Sequence, residues 1–361
     1  MTGEGIFSTS PAKLPEYVVM GQYVVRRLLQ AIPLLFITSL VIFVLLQSAG
    51  DPLATMGGRL PPRPEDRERL RRQLGLDQPI LTQYIYWLVG NDWVLIDRDG
   101  DGEGETPGTR RGVLRGDFGQ SIVTRQPALQ IIADRLPNTL LLMLSAEVLV
   151  ISLALLVGVI SAIKQYSLLD NLLTGFSFVA FSMPIFLVAF MLMYIFAVKT
   201  REWGLPYFPT AGMFDPAEGR TVGQVIWHMI LPITTLALIG VAGYSRFIRS
   251  NMLEVINSDY IRTARAKGLH ERTILYVHAF KNASLPLVTL IGLDLPFLLG
   301  GAIVTEKIFA WPGMGRLFID HLERLDYAVL MGILMMITAA VIIFQLLTDL
   351  LYTWLDPRIR Y

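Results

Sequence analysis

Asp97, Asp99 and Asp101 alternate along an acidic stretch and are followed at once by Gly102. Alternating oxygen ligands ahead of a glycine turn form the first half of an EF-hand calcium loop. The twelfth position of such a loop should supply a bidentate glutamate, and here it is Gly108. Weak calcium binding and a solvated surface insert over residues 91–112 are both compatible with that half-set. Other metal and nucleophile chemistry finds little support. There is no cysteine, and the four histidines (His228, His270, His278, His321) form no HExxH pair. No GxxxxGK[ST] phosphate loop occurs, so ATP hydrolysis is not expected of this chain.

Two carboxylates stand in unusual company. Glu147 is the one charge in the apolar run 136–163, and Asp294 the one charge in 282–305. A carboxylate at the centre of a membrane helix costs about 2.5–3.5 kcal/mol, so each should face protein or water, not lipid. They could line a solute path near the amino terminus of a peptide, or simply bond a neighbouring helix.

The stretch 246–286, RFIRSNMLEVINSDYIRTARAKGLHERTILYVHAFKNASLP, carries seven basic and three acidic side chains. Ser258 or Asp259 can cap a short helix running through Lys267, and Gly268 suits the position just past its end. A second helix can restart over Glu271–Asn282 and enter the next apolar run at Pro286. Helix, glycine and helix make a compact knob whose small residues Thr263, Ala264 and Ala266 permit close approach by a partner. By charge alone it is equally a basic loop drawn to anionic lipid headgroups.

These residues must be positioned by membrane helices. Hydrophobic residues make up 53% of the 361-residue chain and charged residues only 17%, against about 25% charged in soluble domains. A net charge of +1 gives no basic excess with which to bind nucleic acid. Six runs are long enough to span a bilayer: 28–50, 136–163, 172–198, 221–245, 282–305 and 327–348. With the N-terminus inside, the internal segments hold thirteen Lys and Arg and the two short external loops hold six, which places both termini in the cytoplasm. Residues 1–19 read as a mobile cytoplasmic extension. Residues 20–135 hold the first span and a large external loop, with surface helices over 64–74 and 80–89. Residues 136–361 hold the other five spans. Pro184, Pro232 and Pro296 fall inside spans three, four and five and favour kinks.

DYIRTARAKGL (259–269) followed by FKNASLP resembles the cytoplasmic coupling loop of binding-protein-dependent ABC importer permeases. VVRRLLQAIPLLFITSLVIFVLLQSAGDP (24–52), LGLDQPILTQYIYWL (74–88), RGDFGQSI (115–122), RLPNTLLL (135–142), EKIFAWPGMGRL (306–317) and DLLYTWLDPRIRY (349–361) follow in the order of that family's dipeptide, oligopeptide and nickel subfamily, B-type subunit. The likeness covers about 20–361. It implies an all-α integral membrane protein with the type I ABC importer permease fold, in a bacterial cytoplasmic (inner) membrane. The partners it implies are a second homologous permease, two ATPase subunits holding ATP and magnesium, an extracytoplasmic solute-binding protein and membrane lipid. Asp259, Tyr260, Arg265 and Lys267 would make polar contacts with an ATPase, and Thr263, Ala264, Ala266 and Gly268 would pack closely against it, within a coupling loop over 246–285. Trp311, Pro312 and Gly313 would touch the solute-binding protein or close an outer gate, or serve only as a turn. The alternatives are a carrier driven by an ion gradient, which should show matching halves with broken helices, and a non-transporting scaffold or receptor.

Overall fold

A computed structural model describes residues 16–55, 63–97, 104 and 106–355. Five of its helices are long and apolar enough to cross a membrane, and a bent pair makes a sixth span. They are α1 (Glu16–Ala49), α4 (Ala128–Ile163), the pair α5 (Leu168–Ser182) and α6 (Ile185–Met193), α8 (Val222–Ile256), α11 (Phe280–Gly300) and α14 (Tyr327–Leu355). Between α1 and α4 lie α2 (Pro64–Gln73), α3 (Ile80–Leu88) and a two-residue hairpin, β1 (Leu95–Ile96) with β2 (Thr106–Pro107). The short α7 (Thr200–Glu202) closes the third span, and α9 (Asp259–Ala266) and α10 (Glu271–Thr273) lie between α8 and α11. Two more, α12 (Ile303–Ile308) and α13 (Met314–Leu322), lead into α14.

Several boundaries differ from the sequence reading. α4 begins at Ala128, because Pro137 sits inside the helix without ending it. α8 runs on to Ile256, so Arg246 and Arg249 belong to a helix and not to a loop. The third span is not one helix over 172–198. Met183 precedes Pro184, where the proline ring disfavours helical backbone, and it is extended at ψ 133°. The chain turns through 105° there. Pro232 and Pro296 lie inside unbroken helical runs.

α4 and α8 form the central pair. Their contacts advance in step: a Cβ at Gly240 would meet Val150, and one at Gly158 would lie 2.7 Å from the Ser245 carbonyl and 2.8 Å from Ile248 Cβ. The two helices are therefore parallel, and their backbones meet through glycine, as expected where lipid supplies no hydrophobic drive between helices. The bent span and the loop after it carry the chain back between them.

The segment between α1 and α4 is fixed to the spans at two places. Tyr84 and Trp87 of α3 are buried against Phe43 of α1 and Met331 of α14, and the Tyr84 hydroxyl pairs with Ser39 at 2.7 Å. Near α4, Ser121 donates to the buried Asp326, which also meets His321 Nδ1 at 2.9 Å. α2 starts at Pro64 and ends in a Schellman turn, with Gly75 at φ +69° and the Leu76 amide on the Arg71 carbonyl.

Candidate functional site

The knob is α9 with the turn on each side. Ser258 holds the extended N-cap backbone, but its hydroxyl donates to the Val255 carbonyl at 2.6 Å and not to the first turn of α9. At the other end Gly268 adopts φ +76°, and the Leu269 amide closes on the Ala264 carbonyl at 3.3 Å. This is the glycine C′ turn read from the sequence; a side chain there would meet nothing within 4 Å, though the left-handed backbone strains any residue with a Cβ. Arg265 pairs with Glu271 at 2.7 Å, bracing α9 against α10, and its hydrogen bond holds the Glu271 carboxyl below the usual carboxylate range. Tyr260 accepts a hydrogen bond from Asn282 Nδ2 at 2.9 Å.

One residue roots the knob. Ile261 is fully buried in a cluster with Ala154 of α4, Ile248 and Met252 of α8, and Ile274, Ala283 and Leu287 on the path into α11. Ala264 is partly buried against the same cluster. Asp259, Tyr260, Thr263, Arg265, Ala266, Lys267 and Gly268 are exposed. Seven of the eight residues singled out from the sequence thus share the outer surface, and Ala264 belongs to the root. A displacement of α9 must carry α8 with it, since a close-packed apolar contact has no slack.

The two carboxylates isolated in the sequence meet in space. Tyr244 of α8 donates to Asp294 of α11 and interacts with Glu147 of α4. Glu147 Oε1 is buried and has no hydrogen-bond partner, whereas Asp294 is exposed. Three spans therefore contribute to one polar patch between long apolar runs. Tyr244 carried no signal in the sequence, where it is one more aromatic in a hydrophobic helix.

The 309–313 turn is a buried joint. Trp311 has no exposed surface, and its Nε1 donates to the Asn138 carbonyl at 3.0 Å. Asn138 Nδ2 donates to the Pro312 carbonyl at 3.0 Å. Beside them the fully buried Glu306 accepts from the Thr139 hydroxyl at 2.9 Å and the Arg316 amide at 3.0 Å. The Met314 amide in turn donates to Thr139 Oγ1 at 2.6 Å. Glu306 thus caps the start of α13, where unpaired amides and the helix dipole favour negative charge. Gly301, Gly313 and Gly315 close around it: a Cβ on Gly313 would lie 2.5 Å from Glu306 Oε2. Sequence reasoning passed over Glu306, because a Glu-Lys pair in a loop reads as a solvated surface.

Of the possible calcium ligands, Asp97 follows β1, and Asp99 and Asp101 lie outside the described residues. Among the described residues no three His, Cys, Asp or Glu side chains group as a metal site.

Comparison with known proteins agrees along the length of the chain. Residues 154–361 match the family described as the binding-protein-dependent transport system inner membrane component, and residues 20–143 match its N-terminal companion. The oligopeptide transport system permease protein AppB of Bacillus subtilis (strain 168) is 38% identical over 346 residues, covering 95% of this chain and 100% of that one. The dipeptide transport system permease protein DppB of Escherichia coli (strain K12) is 36% identical over 364 residues, covering 95% and 99%. The glutathione transport system permease protein GsiC of Escherichia coli O1:K1 / APEC is 34% identical over 346 residues, covering 95% and 100%.

Proposed function

Because this chain belongs to the family of binding-protein-dependent transport system inner membrane components, and so is a multi-pass transmembrane subunit of an ATP-driven importer, we propose that its cargo is small peptides and that α9 is where ATPase subunits drive it. Peptide cargo rests on the names of its relatives, which include oligopeptide and dipeptide permeases. Family membership favours this over the ion-driven carrier and the scaffold. The rest of the assembly would be a second permease of the same kind, two ATPases that hold ATP and magnesium, and an extracytoplasmic binding protein. The knob would then face the cytoplasm, as would both termini, in agreement with the distribution of Lys and Arg.

One observation carries the coupling reading: a short helix with a polar exposed surface is rooted by Ile261 in the same cluster as α4, α8 and the start of α11. An element of that kind can make different contacts in two states of an ATPase pair and pass the difference to the spans. The test uses the tagged complex from its native membrane. ATPase subunits should co-purify with it, and Gly268→Asp, which places a charge on the exposed turn, should leave insertion intact. Import by that variant should fall about tenfold or more while ATP hydrolysis continues, within the range of ordinary coupling free energies. Normal import at normal protein level would remove α9 from the coupling role.

We assign the Glu147, Tyr244 and Asp294 patch to the solute path, where its negative charge would receive the amino terminus of a peptide. Asp294→Asn should lower import of free-amine peptides by about tenfold, as expected when a charge-assisted contact worth about 1.5–3 kcal/mol is lost. Import of N-acetylated analogues should barely change. An equal loss for both would place the patch in structure and not in the path. Trp311, Pro312 and Gly313 we assign to the outer gate as its buried joint, since an interior indole is poorly placed to meet a soluble partner.

A further inference from the structure

The first half of the broken third span, α5, leaves much of its apolar surface open. Leu172, Phe176, Phe178, Val179 and Phe181 of α5 are all exposed. A narrow polar seam runs along the contact between α5 and α8. Arg249 Nε and Nη2 reach the two oxygens of Asp170 at 2.9 and 2.8 Å, and Asp170 is 1% exposed. Ser161 at the end of α4 donates to the same carboxylate and accepts from Arg249 Nε at 3.1 Å. Two turns further along α5, and one turn back along α8, Ser177 meets Ser245 with 3.5 Å between their hydroxyl oxygens. Above that, the Arg246 guanidinium lies 4.2 Å from the centre of the Phe181 ring and 5.0 Å from that of Phe178. The seam ends at the Met183–Pro184 break.

A helix face that is not close-packed, like the exposed side of α5, can shift against its surroundings, because dispersion is not directional. A bidentate arginine–carboxylate pair cannot, because its two parallel bonds hold only in one geometry. Such a pair, with Asp170 buried and the Arg249 side chain 24% exposed, adds little net stability over well-packed apolar residues. Its position therefore suits a fixed register between two helices better than a gain in stability.

We propose that Arg249 and Asp170 pin the first half of the third span to α8, so that displacement of α9 reaches the Met183–Pro184 break. The path is short. Ile261 of α9 packs on Ile248 and Met252, which flank Arg249 on α8. Asp170 and Arg249 are positioning residues that touch neither solute nor nucleotide. The proposal rests on the coupling role of α9.

The test uses the complete transporter in vesicles, with ATP hydrolysis and import read together. Asp170→Asn should leave hydrolysis within about twofold of the parent and cut import by about tenfold or more. The chain has no cysteine, so Ser177→Cys with Ser245→Cys supplies a single cross-link across the seam. It should form under oxidation and leave import unchanged, because the two helices move together. Parental import by Asp170→Asn, failure of the cross-link to form, or import lost on oxidation and recovered on reduction would each overturn the pin. Should Asp170→Asn fail to accumulate, the cysteine pair decides alone. Gly268→Asp measured alongside separates the two readings. If only Gly268→Asp loses import, the pin fails and the coupling role stands; if Gly268→Asp imports normally, the coupling role itself fails.

Discussion

A Glu306→Ala chain should fail to accumulate as a folded membrane protein, the largest loss expected from any single polar side chain here. The carboxylate takes hydrogen bonds from the Thr139 hydroxyl and the Arg316 amide in a fully buried site. Alanine leaves these donors without an acceptor and out of reach of water. Each orphaned buried donor costs about 1–3 kcal/mol, so the two together should cost the joint about 2–6 kcal/mol. That is a large part of the 5–15 kcal/mol or so that a domain has in hand. Glu306→Gln keeps one acceptor oxygen but turns an amide N–H₂ toward remaining donors, and should fall between the two. Gly313→Ala should resemble Glu306→Ala, since its Cβ would lie 2.5 Å from the carboxylate. Thermal unfolding of the detergent-solubilised chain, followed by size exclusion, reads all three. Parental thermal stability for Glu306→Ala would mean that the joint holds nothing together.

Gly158→Val should be nearly as damaging, for a reason of shape. The added Cβ would lie 2.7 Å from the Ser245 carbonyl and 2.8 Å from Ile248 Cβ. Neither is the far end of a flexible side chain, so α4 and α8 must separate. Overpacking of this kind costs about 1–3 kcal/mol and sometimes more, and it falls on the turn of α8 that bears Arg249. Import should drop further than stability, because the displaced helix carries the seam to α5. Gly175→Ala is the matched control: nothing lies within 4 Å of its added Cβ, and alanine gains about 1 kcal/mol of helix propensity over glycine. It should be neutral or slightly stabilising. A Gly158→Val protein with parental import and unfolding temperature would contradict the close α4–α8 contact.

Local signals in the sequence read well, and contacts between distant segments did not. α2 starts at Pro64 and α9 ends before Gly268 because proline and glycine constrain their own backbone wherever they occur. The number of spans followed from apolar length. How far the chain turns at Met183–Pro184 could not be read from Pro184 alone, because similar prolines at 232 and 296 stay inside continuous helices. Packing on either side settles the difference. Glu147 and Asp294 stood out as charges in apolar runs, yet their meeting through Tyr244 depends on three helices coming together. Glu306, Asp170 and Arg249 stayed hidden for the opposite reason. They lie near the ends of the spans, where charges are ordinary, and only tertiary structure shows that Glu306 and Asp170 are sealed from solvent.

The parallel course of α4 and α8 constrains how the protein is made. Antiparallel neighbours can zip together as a hairpin as soon as the second emerges from the ribosome. These two cannot, because everything from α5 to α7 must first be threaded back across the bilayer. The glycine-bearing face of α4 therefore waits in the insertion machinery or the surrounding lipid with no mate until α8 has been synthesised. Nascent chains arrested before α8 should thus offer that face to insertion chaperones, and release should come only once the later helix slots in.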